Sequence, residues 1–336
     1  MNSKELAKLI GVSQSTISRA LNGSKQISEQ RRQEIMELAK KHNFEFNLNA
    51  RNLRNQTSNF VGILLPTKFD NFMEDDYRTM QFTYLYRELS KHDYDPILLN
   101  GEELSSDASA LERAIRKRQL AGLILWRRIE SDEVIAYLKT LKIPLFAMTR
   151  CNEKMHFIPS VSVDSYRMGY LVGEHFAARG FGRIGFILIR NHQSSLLTLQ
   201  GFRDALEKQG GTLRQEDIYF TGTGVESGFQ TIMEIRDRIR EYDAIFANND
   251  YLAMGAISAL RSLGLSVPED IAVAGNNNAP ASGWYAPSLT TVETALDLQA
   301  EMSCERLVAM MKGDPDPMED KHYVIPPRLV IRESCP

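Results

Sequence analysis

The spacing of apolar residues changes once along the chain, close to residue 60. Before that point apolar residues recur at helical spacing in three short stretches, which predict three short helices within residues 3–44. Ser3, Ser13 and Ser28 stand at the starts of these stretches and are expected to be their N-caps. After that point short apolar runs alternate with longer amphipathic stretches, which predicts an α/β fold.

The apolar runs of the second part are typical of buried strands. They read FVGILL, PILL, AGLILW, IPLFAM, VSV, RIGFILI, IYF, AIFA and IAVA. Because these runs are apolar on both faces and helical stretches separate them, they predict parallel sheets covered by helices on both sides. The series is long enough for two doubly wound α/β lobes.

Three residues of the first part have the spacing of a helix-turn-helix. Ala7 is small enough for two helices to cross closely, Gly11 allows a tight turn between them, and the β-branched Ile17 seals their contact. The third helix is expected to bury one face, made of Ile35, Leu38, Ala39 and His42. The sequence therefore predicts an all-α helix-turn-helix headpiece before the α/β core.

The second helix is expected to present a polar face suited to DNA. Short hydroxyls and amides with an arginine one turn on can contact base edges and phosphates in a major groove; here they are Gln14, Ser15, Thr16 and Arg19. Residues 1–58 carry ten Lys and Arg against five Asp and Glu, a net charge of +5, which leaves −8 on the rest. This asymmetry favours a polyanionic partner at one end over an ordinary solvated helix.

Residues 1–56 resemble the DNA-binding headpiece and hinge of the LacI family of bacterial transcriptional regulators. The matching elements are LAKLIGVSQSTISRALNG, ISEQRR and NARNL. The resemblance implies base-reading roles for Gln14, Ser15 and Arg19, with Asn22 near the DNA backbone. It also implies that NARNL, which includes Asn49 and Ala50, forms a DNA-contacting hinge helix.

Leu53 is the one leucine of this basic, amide-rich hinge segment. The resemblance implies that it inserts into the minor groove at the operator centre, where an apolar wedge holds open an unstacked base step. A helix of about eight residues is too short to be stable alone, so we expect it to fold when two copies pair on DNA. Phe46 stands where the family usually has proline, which makes the entry to the hinge less rigid.

The second part resembles the effector-binding core of the same family, which has the fold of periplasmic sugar-binding proteins. The resemblance rests on RGFGRIGFILI, FANNDYLAMGAISALRSLGLSVPEDIAVAG and PSLTTVE. It implies two doubly wound lobes joined by three crossovers, with a small ligand in the cleft between them. No heptad repeat predicts a tetramerising coiled coil, so a homodimer is expected. The expected divisions are a helix-turn-helix domain at 1–46, a hinge and linker at 47–59, and a core at 60–336, with lobe 1 at about 60–159 and 292–318 and lobe 2 at about 160–291 and 319–336.

Candidate effector residues follow from the rule that ligands of open α/β sheets bind beyond the carboxyl ends of strands. Asn249 matches a ligand-contacting asparagine of the family, and Phe72 falls in its aromatic loop. Helix N-capping is the alternative role for both Asn249 and Asp250, and Asp250 is expected mostly to be a cap. The family commonly has aspartate, arginine, an aromatic residue and aspartate at four positions that here are Thr149, Thr198, Thr223 and Asn277.

These four departures remove charged groups that grip sugar hydroxyls or anions. A standard sugar or nucleobase effector is therefore disfavoured. The alternatives are a different ligand, bulkier or less demanding of charge, and a cleft that has lost small-molecule binding and is controlled by a partner protein.

Other functional classes have weaker support. Gly180, Gly182 and Gly185 match G-x-G-x-x-G, but a helix precedes them and a strand follows, the reverse of the order that holds a nucleotide phosphate; Gly180 is expected to be a helix C-cap. No G-x-S-x-G, P-loop or metal-ligand histidine cluster is present, and the three cysteines are widely spaced. We expect no enzyme activity, catalytic residue, metal or cofactor.

The expected location is the cytoplasm. The N-terminus lacks the order of a secretory signal, and no apolar run reaches the roughly 18 residues of a membrane span, so no membrane partner is expected. The favoured function is a transcriptional regulator, a repressor, that binds a palindromic double-stranded DNA operator as a homodimer under control of a small-molecule effector. A cytoplasmic solute-binding protein and an α/β enzyme are the alternatives from other classes.

Overall fold

A computed structural model describes residues 3–21, 26–42, 58–65, 76–190, 193–316, 318 and 320–336. The chain divides into two compact units, Met1–Ser58 and Asn59–Pro336, here called unit 1 and unit 2. Each unit is built around its own buried apolar residues. Among the described residues, no helix is both long enough and apolar enough to cross a membrane.

The described residues of unit 1 form three helices, α1 (Ser3–Ile10), α2 (Gln14–Leu21) and α3 (Glu29–Lys41). They enclose a small core that consists of Leu6, Ala7, Ile17, Ala20, Ile35 and Ala39. The expectation that His42 shares this buried face is wrong, because His42 is exposed. It lies just beyond the end of α3, so helical spacing no longer fixes the direction of its side chain.

Local hydrogen bonds define the turn between α1 and α2. Gly11 has a left-handed φ of +71°, and the Val12 N–H donates to the Ala7 carbonyl at 3.0 Å, a helix end that glycine favours. Ser13 Oγ then accepts from the Thr16 N–H at 3.1 Å, and Ser28 Oγ accepts from the N–H of residue 31 at 3.4 Å. The predicted roles of Gly11, Ser13 and Ser28 are confirmed.

Unit 2 alternates strands and helices. In chain order its elements are β1 (Phe60–Leu64), α4 (Asp76–Ser90), β2 (Asp95–Leu99), α5 (Gly101–Leu104), α6 (Ala108–Arg118), β3 (Gly122–Leu125), α7 (Asp132–Thr140), β4 (Leu145–Ala147), β5 (Ser160–Val163), α8 (Ser165–Ala178), β6 (Ile184–Ile189), α9 (Gln193–Lys208), β7 (Ile218–Thr221), α10 (Gly224–Glu234), β8 (Ala244–Asn248), α11 (Asp250–Ser262), β9 (Ala272–Ala274), β10 (Thr291–Glu293), α12 (Leu296–Lys312), β11 (His322–Ile325) and β12 (Arg328–Val330).

Two parallel sheets form the two lobes of unit 2. The first has the strand order β11-β5-β4-β3-β1-β2, and the second has the order β7-β6-β8-β9. Helices α6 and α7 cover one face of the first sheet, and α4 and α12 cover the other. Helices α8 and α9 cover one face of the second sheet, and α10 and α11 cover the other. The predicted doubly wound architecture is confirmed.

The lobe boundaries differ from the expected ones at about residues 160 and 319. β5 and β11 pair with each other in the first sheet, so the chain leaves that sheet after Val163 and again after Ile325. β10 and β12 form a separate antiparallel ribbon beside the second sheet. The reason is that an apolar run of three or four residues does not indicate which of two sheets it joins.

Candidate functional site

Helix α2 presents the polar face that the sequence predicts. Gln14, Ser15 and Arg19 are exposed and Thr16 is partly exposed, whereas Ile17 faces the core. Base contacts by Gln14, Ser15, Thr16 and Arg19 stay a prediction. Asn22, Asn49, Ala50 and Leu53 lie outside the described residues.

Arg19 differs from the arginines of α3. Arg31 pairs with Glu34 at 2.7 Å, and Arg32 pairs with Glu29 at 2.6 Å. Over the described ranges, Arg19 has no ion-pair partner. The exposed face of α2 therefore has a cation whose charge a phosphate or a base edge could compensate.

The carboxyl end of the second sheet carries two buried asparagines. Phe246 faces the layer of α8 and α9, so alternation along β8 directs Asn248, two residues further on, to the same face. Asn276 follows the end of β9 by two residues. The Asn276 Nδ2 donates to Asn248 Oδ1 at 2.9 Å. Asn276 Oδ1 is buried and has no hydrogen-bond partner among the described residues.

Of the two residues for which capping was expected or left open, Asn249 and not Asp250 caps a helix. Asn249 is the N-cap of α11, where its Oδ1 accepts from the Leu252 N–H at 3.2 Å. Asp250 is fully buried in the first turn and joins α11 to the segment that ends in β10: its carboxylate accepts from the Thr291 hydroxyl and from the Ala279 N–H at 2.6 Å. The cap expected at Asp250 is wrong, because strand β8 ends one residue earlier than such a cap requires.

Burial raises the pKa of the Asp250 carboxyl to about 7, although hydrogen bonds from Thr291 and Ala279 and the charge of Arg332 act in the opposite direction. In the unfolded chain an aspartate has a pKa of about 3.9. Between about pH 4 and pH 7 the folded protein therefore holds a proton that the unfolded chain has lost. The contribution of Asp250 to the free energy of unfolding is present below pH 4 and declines as the pH rises through 7.

We expect Asp250→Asn to remove this part of the pH dependence, because an amide does not ionise. The variant is less stable overall, since an N–H₂ group replaces one acceptor. Urea unfolding at a series of pH values would measure how the free energy of unfolding changes with pH. Between pH 4 and pH 7 this slope should differ from that of the parent by the equivalent of up to one bound proton. Asp237→Asn, at an exposed carboxylate, is the control. If the pH dependence of stability were the same in Asp250→Asn and the parent, Asp250 would not be its source.

The remaining candidate effector residues differ in accessibility. Thr149 is partly exposed after β4, and Thr223 is exposed at the start of α10. Asn277 is partly exposed with a left-handed φ of 105°. Thr198 is fully buried and its hydroxyl donates to the Ser194 carbonyl at 3.0 Å, so it offers no free surface to a ligand in this conformation. Phe72 lies outside the described residues.

The carboxyl end of the first sheet holds a cation that the sequence analysis did not single out. Arg127 follows β3, and its Nη1 donates to the Gly101 carbonyl, just after β2, at 3.0 Å. Its Nε is buried and has no hydrogen-bond partner in the part of the chain that the structure describes. The residue after a buried strand is a common position for ligand contacts, and that was the available signal.

The G-x-G-x-x-G segment holds no vacant phosphate site. Gly180 follows the end of α8 with a φ of +74°, which confirms the predicted C-cap. The N–H groups of Gly182 and Arg183 both donate to Asp243 Oδ2, at 2.7 and 2.8 Å. Because a protein carboxylate already occupies these donors, the segment closes a turn. The described residues also contain no group of three His, Cys, Asp or Glu placed to hold a metal ion.

The whole chain is similar to known transcriptional regulators. The regulator RegA of Clostridium acetobutylicum is 28% identical over 338 residues, 99% of this chain and 98% of the relative. The repressor PurR of Actinobacillus pleuropneumoniae is 28% identical over 335 residues, 98% of this chain and 97% of the relative. Both similarities extend over unit 1 and unit 2, so each relative has sequences similar to both units in the same order.

Solved structures share the fold. The lac repressor dimer bound to operator and the anti-inducer ONPF gives a TM-score of 0.75 at 21% identity, over 100% of this chain and 99% of that one. The CelR–cellobiose complex gives 0.69 at 22% identity, over 99% of each chain. The family description "Bacterial regulatory proteins, lacI family" matches residues 3–47, and "Periplasmic binding protein-like domain" matches residues 173–335. The chain therefore combines a helix-turn-helix domain of the LacI family with a periplasmic-binding-protein-like domain.

Proposed function

We propose that this protein is a repressor that binds a palindromic DNA operator as a homodimer in the cytoplasm. The observation that carries the proposal is the exposed polar face of α2 within the helix-turn-helix arrangement of α1–α3, with Arg19 unpaired among the described residues. In this proposal α2 enters the major groove, and Leu53 of the hinge inserts into the minor groove. No catalytic role is assigned to any residue.

Arg19→Ala tests the reading of bases by α2. An arginine that contacts a guanine edge contributes about 1–3 kcal/mol of discrimination, so we expect operator affinity to fall about 10- to 100-fold with a smaller loss on random duplex. The operator would be a duplex selected from a random library with the parent protein, and fluorescence anisotropy at fixed salt would measure binding.

Arg31→Ala is the matched control, since it removes one positive charge from α3 where Glu34 already pairs with it. Its effect on operator affinity should be small and similar for both duplexes. An equal loss on operator and random duplex in Arg19→Ala would assign Arg19 to the phosphate backbone.

We propose further that a small effector binds between the carboxyl ends of the two sheets and shifts the arrangement of the lobes, and through them the order of the hinge. Asn249, Asn277, Thr149, Thr223 and Phe72 are the candidate contacts. The buried Thr198 can contact the effector only if α9 moves.

A thermal-shift screen of the full chain against a metabolite panel tests this proposal, since a ligand at 100 times its dissociation constant stabilises by about 2.7 kcal/mol. A metabolite that raises the unfolding temperature of the parent, and raises that of Asn277→Ala less, supports an effector in the cleft. Binding without any operator recognition would instead favour a solute-binding protein.

A further inference from the structure

Arg127 is held in an unusual position at the carboxyl edge of the first sheet. Its Nη1 reaches from the end of β3 to the Gly101 carbonyl after β2, so the side chain spans the end of the intervening strand β1. The backbone is tightly packed there, because a Cβ on Gly101 would lie 1.5 Å from the Leu65 carbonyl oxygen and 3.3 Å from Arg127 Cδ. The guanidinium is therefore fixed at the edge where α/β sheets bind ligands.

Among the described residues, the hydrogen bonding of Arg127 is incomplete. Its buried Nε has no partner among the described residues. Desolvation lowers the pKa of the guanidinium, although Glu102 and Glu130 act on it electrostatically in the opposite direction, and Arg78 adds a second positive charge nearby. Glu130 is already paired with Arg128. A buried cationic donor without an acceptor is costly, and an anionic acceptor would remove that cost.

The second sheet offers the complementary group. Asn276 is 2% exposed, its amide nitrogen is used by Asn248, and its Oδ1 has no donor in the described parts of the chain. The pair lies on the carboxyl ends of β8 and β9, the edge that corresponds to the position of Arg127 on the first sheet. Among the described residues, Arg127 Nε in one lobe thus lacks an acceptor and Asn276 Oδ1 in the other lacks a donor.

We propose that the effector carries a carboxylate or phosphate group that binds Arg127 and an amino or hydroxyl group that donates to Asn276. This inference rests on the proposed function, because it assumes that a ligand occupies the cleft. The ligand class is then a hydroxy acid, an amino acid, or the acid or phosphate of a sugar. A ligand of this kind satisfies one group in each lobe and so favours the arrangement that brings the two together.

The test is a calorimetric titration of the full chain with matched probes at constant ionic strength. The probes are glycerol, glycerate and glycerol phosphate, then glucose, gluconate and glucose phosphate, then glycine, acetate and inorganic phosphate. We expect acidic probes to bind more tightly than their neutral counterparts. Comparison of each carboxylate with the corresponding phosphate shows which acidic group the protein prefers. Arg127→Gln should weaken the acidic probes about 10- to 100-fold, because it removes a charged hydrogen bond.

Arg128→Gln is the matched control, since it removes the same charge at the next position from a side chain that is paired with Glu130. It should leave the affinities for the acidic probes unchanged. Arg127→Lys keeps the charge without the Nε donor and should recover only part of the affinity. Asn276→Ala should weaken glycerate more than acetate, which has no donor.

Three outcomes would overturn the inference: equal affinity of the acidic probes for Arg127→Gln and the parent, binding of the neutral probes alone, or no binding of any acidic probe up to tens of millimolar. Thermal unfolding of each variant without ligand shows whether it is folded. Operator binding by the parent, measured separately, decides the proposed function, so the two failures are distinguishable.

Discussion

Replacing Gly169 with alanine is expected to lower the free energy of unfolding of unit 2 by about 3 kcal/mol, the upper end for overpacking. Gly169 lies on α8 against α9, and a Cβ there would stand 1.8 Å from the carbonyl oxygen of Thr198. The reciprocal contact is as close, since a Cβ on Gly201 would stand 1.9 Å from the Tyr166 carbonyl oxygen. The two helices touch through their backbones, so neither can yield by turning a side chain.

The expected loss of stability is opposite in sign to the usual effect of this substitution. A glycine-to-alanine change inside a helix ordinarily stabilises by about 1 kcal/mol. Urea unfolding followed by circular dichroism would measure the difference, with Gly185→Ala as control because its Cβ would meet no atom closer than 3.5 Å. A Gly169→Ala protein as stable as the parent would show that α8 and α9 can separate at little cost, and that Thr198 could then reach a ligand.

Asp217→Asn is expected to destabilise unit 2 by about 3–5 kcal/mol, the cost of breaking a buried ion pair from one side. Asp217 is 1% exposed at the start of β7. Its carboxylate accepts two hydrogen bonds from Arg183, at 3.0 and 3.1 Å, one from Tyr242 at 2.7 Å and one from Arg238 at 3.1 Å. An asparagine in its place directs N–H donors at donors and leaves Arg183 without its main counter-charge.

Thermal or urea unfolding at pH 7 would measure this loss, and Asp237→Asn is the matched control. Asp237 is 91% exposed, and its contact with Arg236 is 3.8 Å long, so the control should change stability by less than about 0.5 kcal/mol. Equal stabilities of the two variants would contradict a structural role for the network.

Asp217 and Asp250 should also shift stability with pH in opposite directions. Burial by itself raises the pKa of Asp217, but the hydrogen bonds from Arg183 and Tyr242 and the two arginine charges outweigh it, so the pKa lies below its ordinary value. The contribution of Asp217 is therefore present above about pH 4 and is lost as the pH falls below that. Asp250 contributes most at low pH, which is the reverse behaviour.

The sequence predicted the arrangement of α1–α3 well because the information that fixes it is local. Ala7, Gly11 and Ile17 act within a single turn and the two helices that flank it, and the caps at Ser13 and Ser28 depend on residues three positions away. His42 was misplaced because periodicity applies only inside a helix. In each of these cases the contacts that decide the structure lie close together in the chain.

In unit 2 the sequence indicates which residues follow the strands, but long-range contacts decide what their side chains do. The family resemblance singled out Asn249 and Asn277 as effector contacts, which stays a prediction. The hydrogen bond between Asn248 and Asn276 joins residues 28 positions apart, and no local pattern indicates it. No sequence motif marks Arg127. Its contact with Gly101 arises only because β2 and β3 lie on either side of β1 in the folded sheet. The sheet joined by β5 likewise depends on a strand far along the chain.

The position of β11 also sets when the core can finish folding during translation. The first sheet starts with β1 but gains its outer strand only when His322–Ile325 pairs with β5. Helices α1–α3 build their core from residues that are close together in the chain, and folding from local contacts is fast. A nascent chain stalled before β11 would thus already contain all of α1–α3, whereas its first sheet would still lack one outer strand and expose the edge of β5.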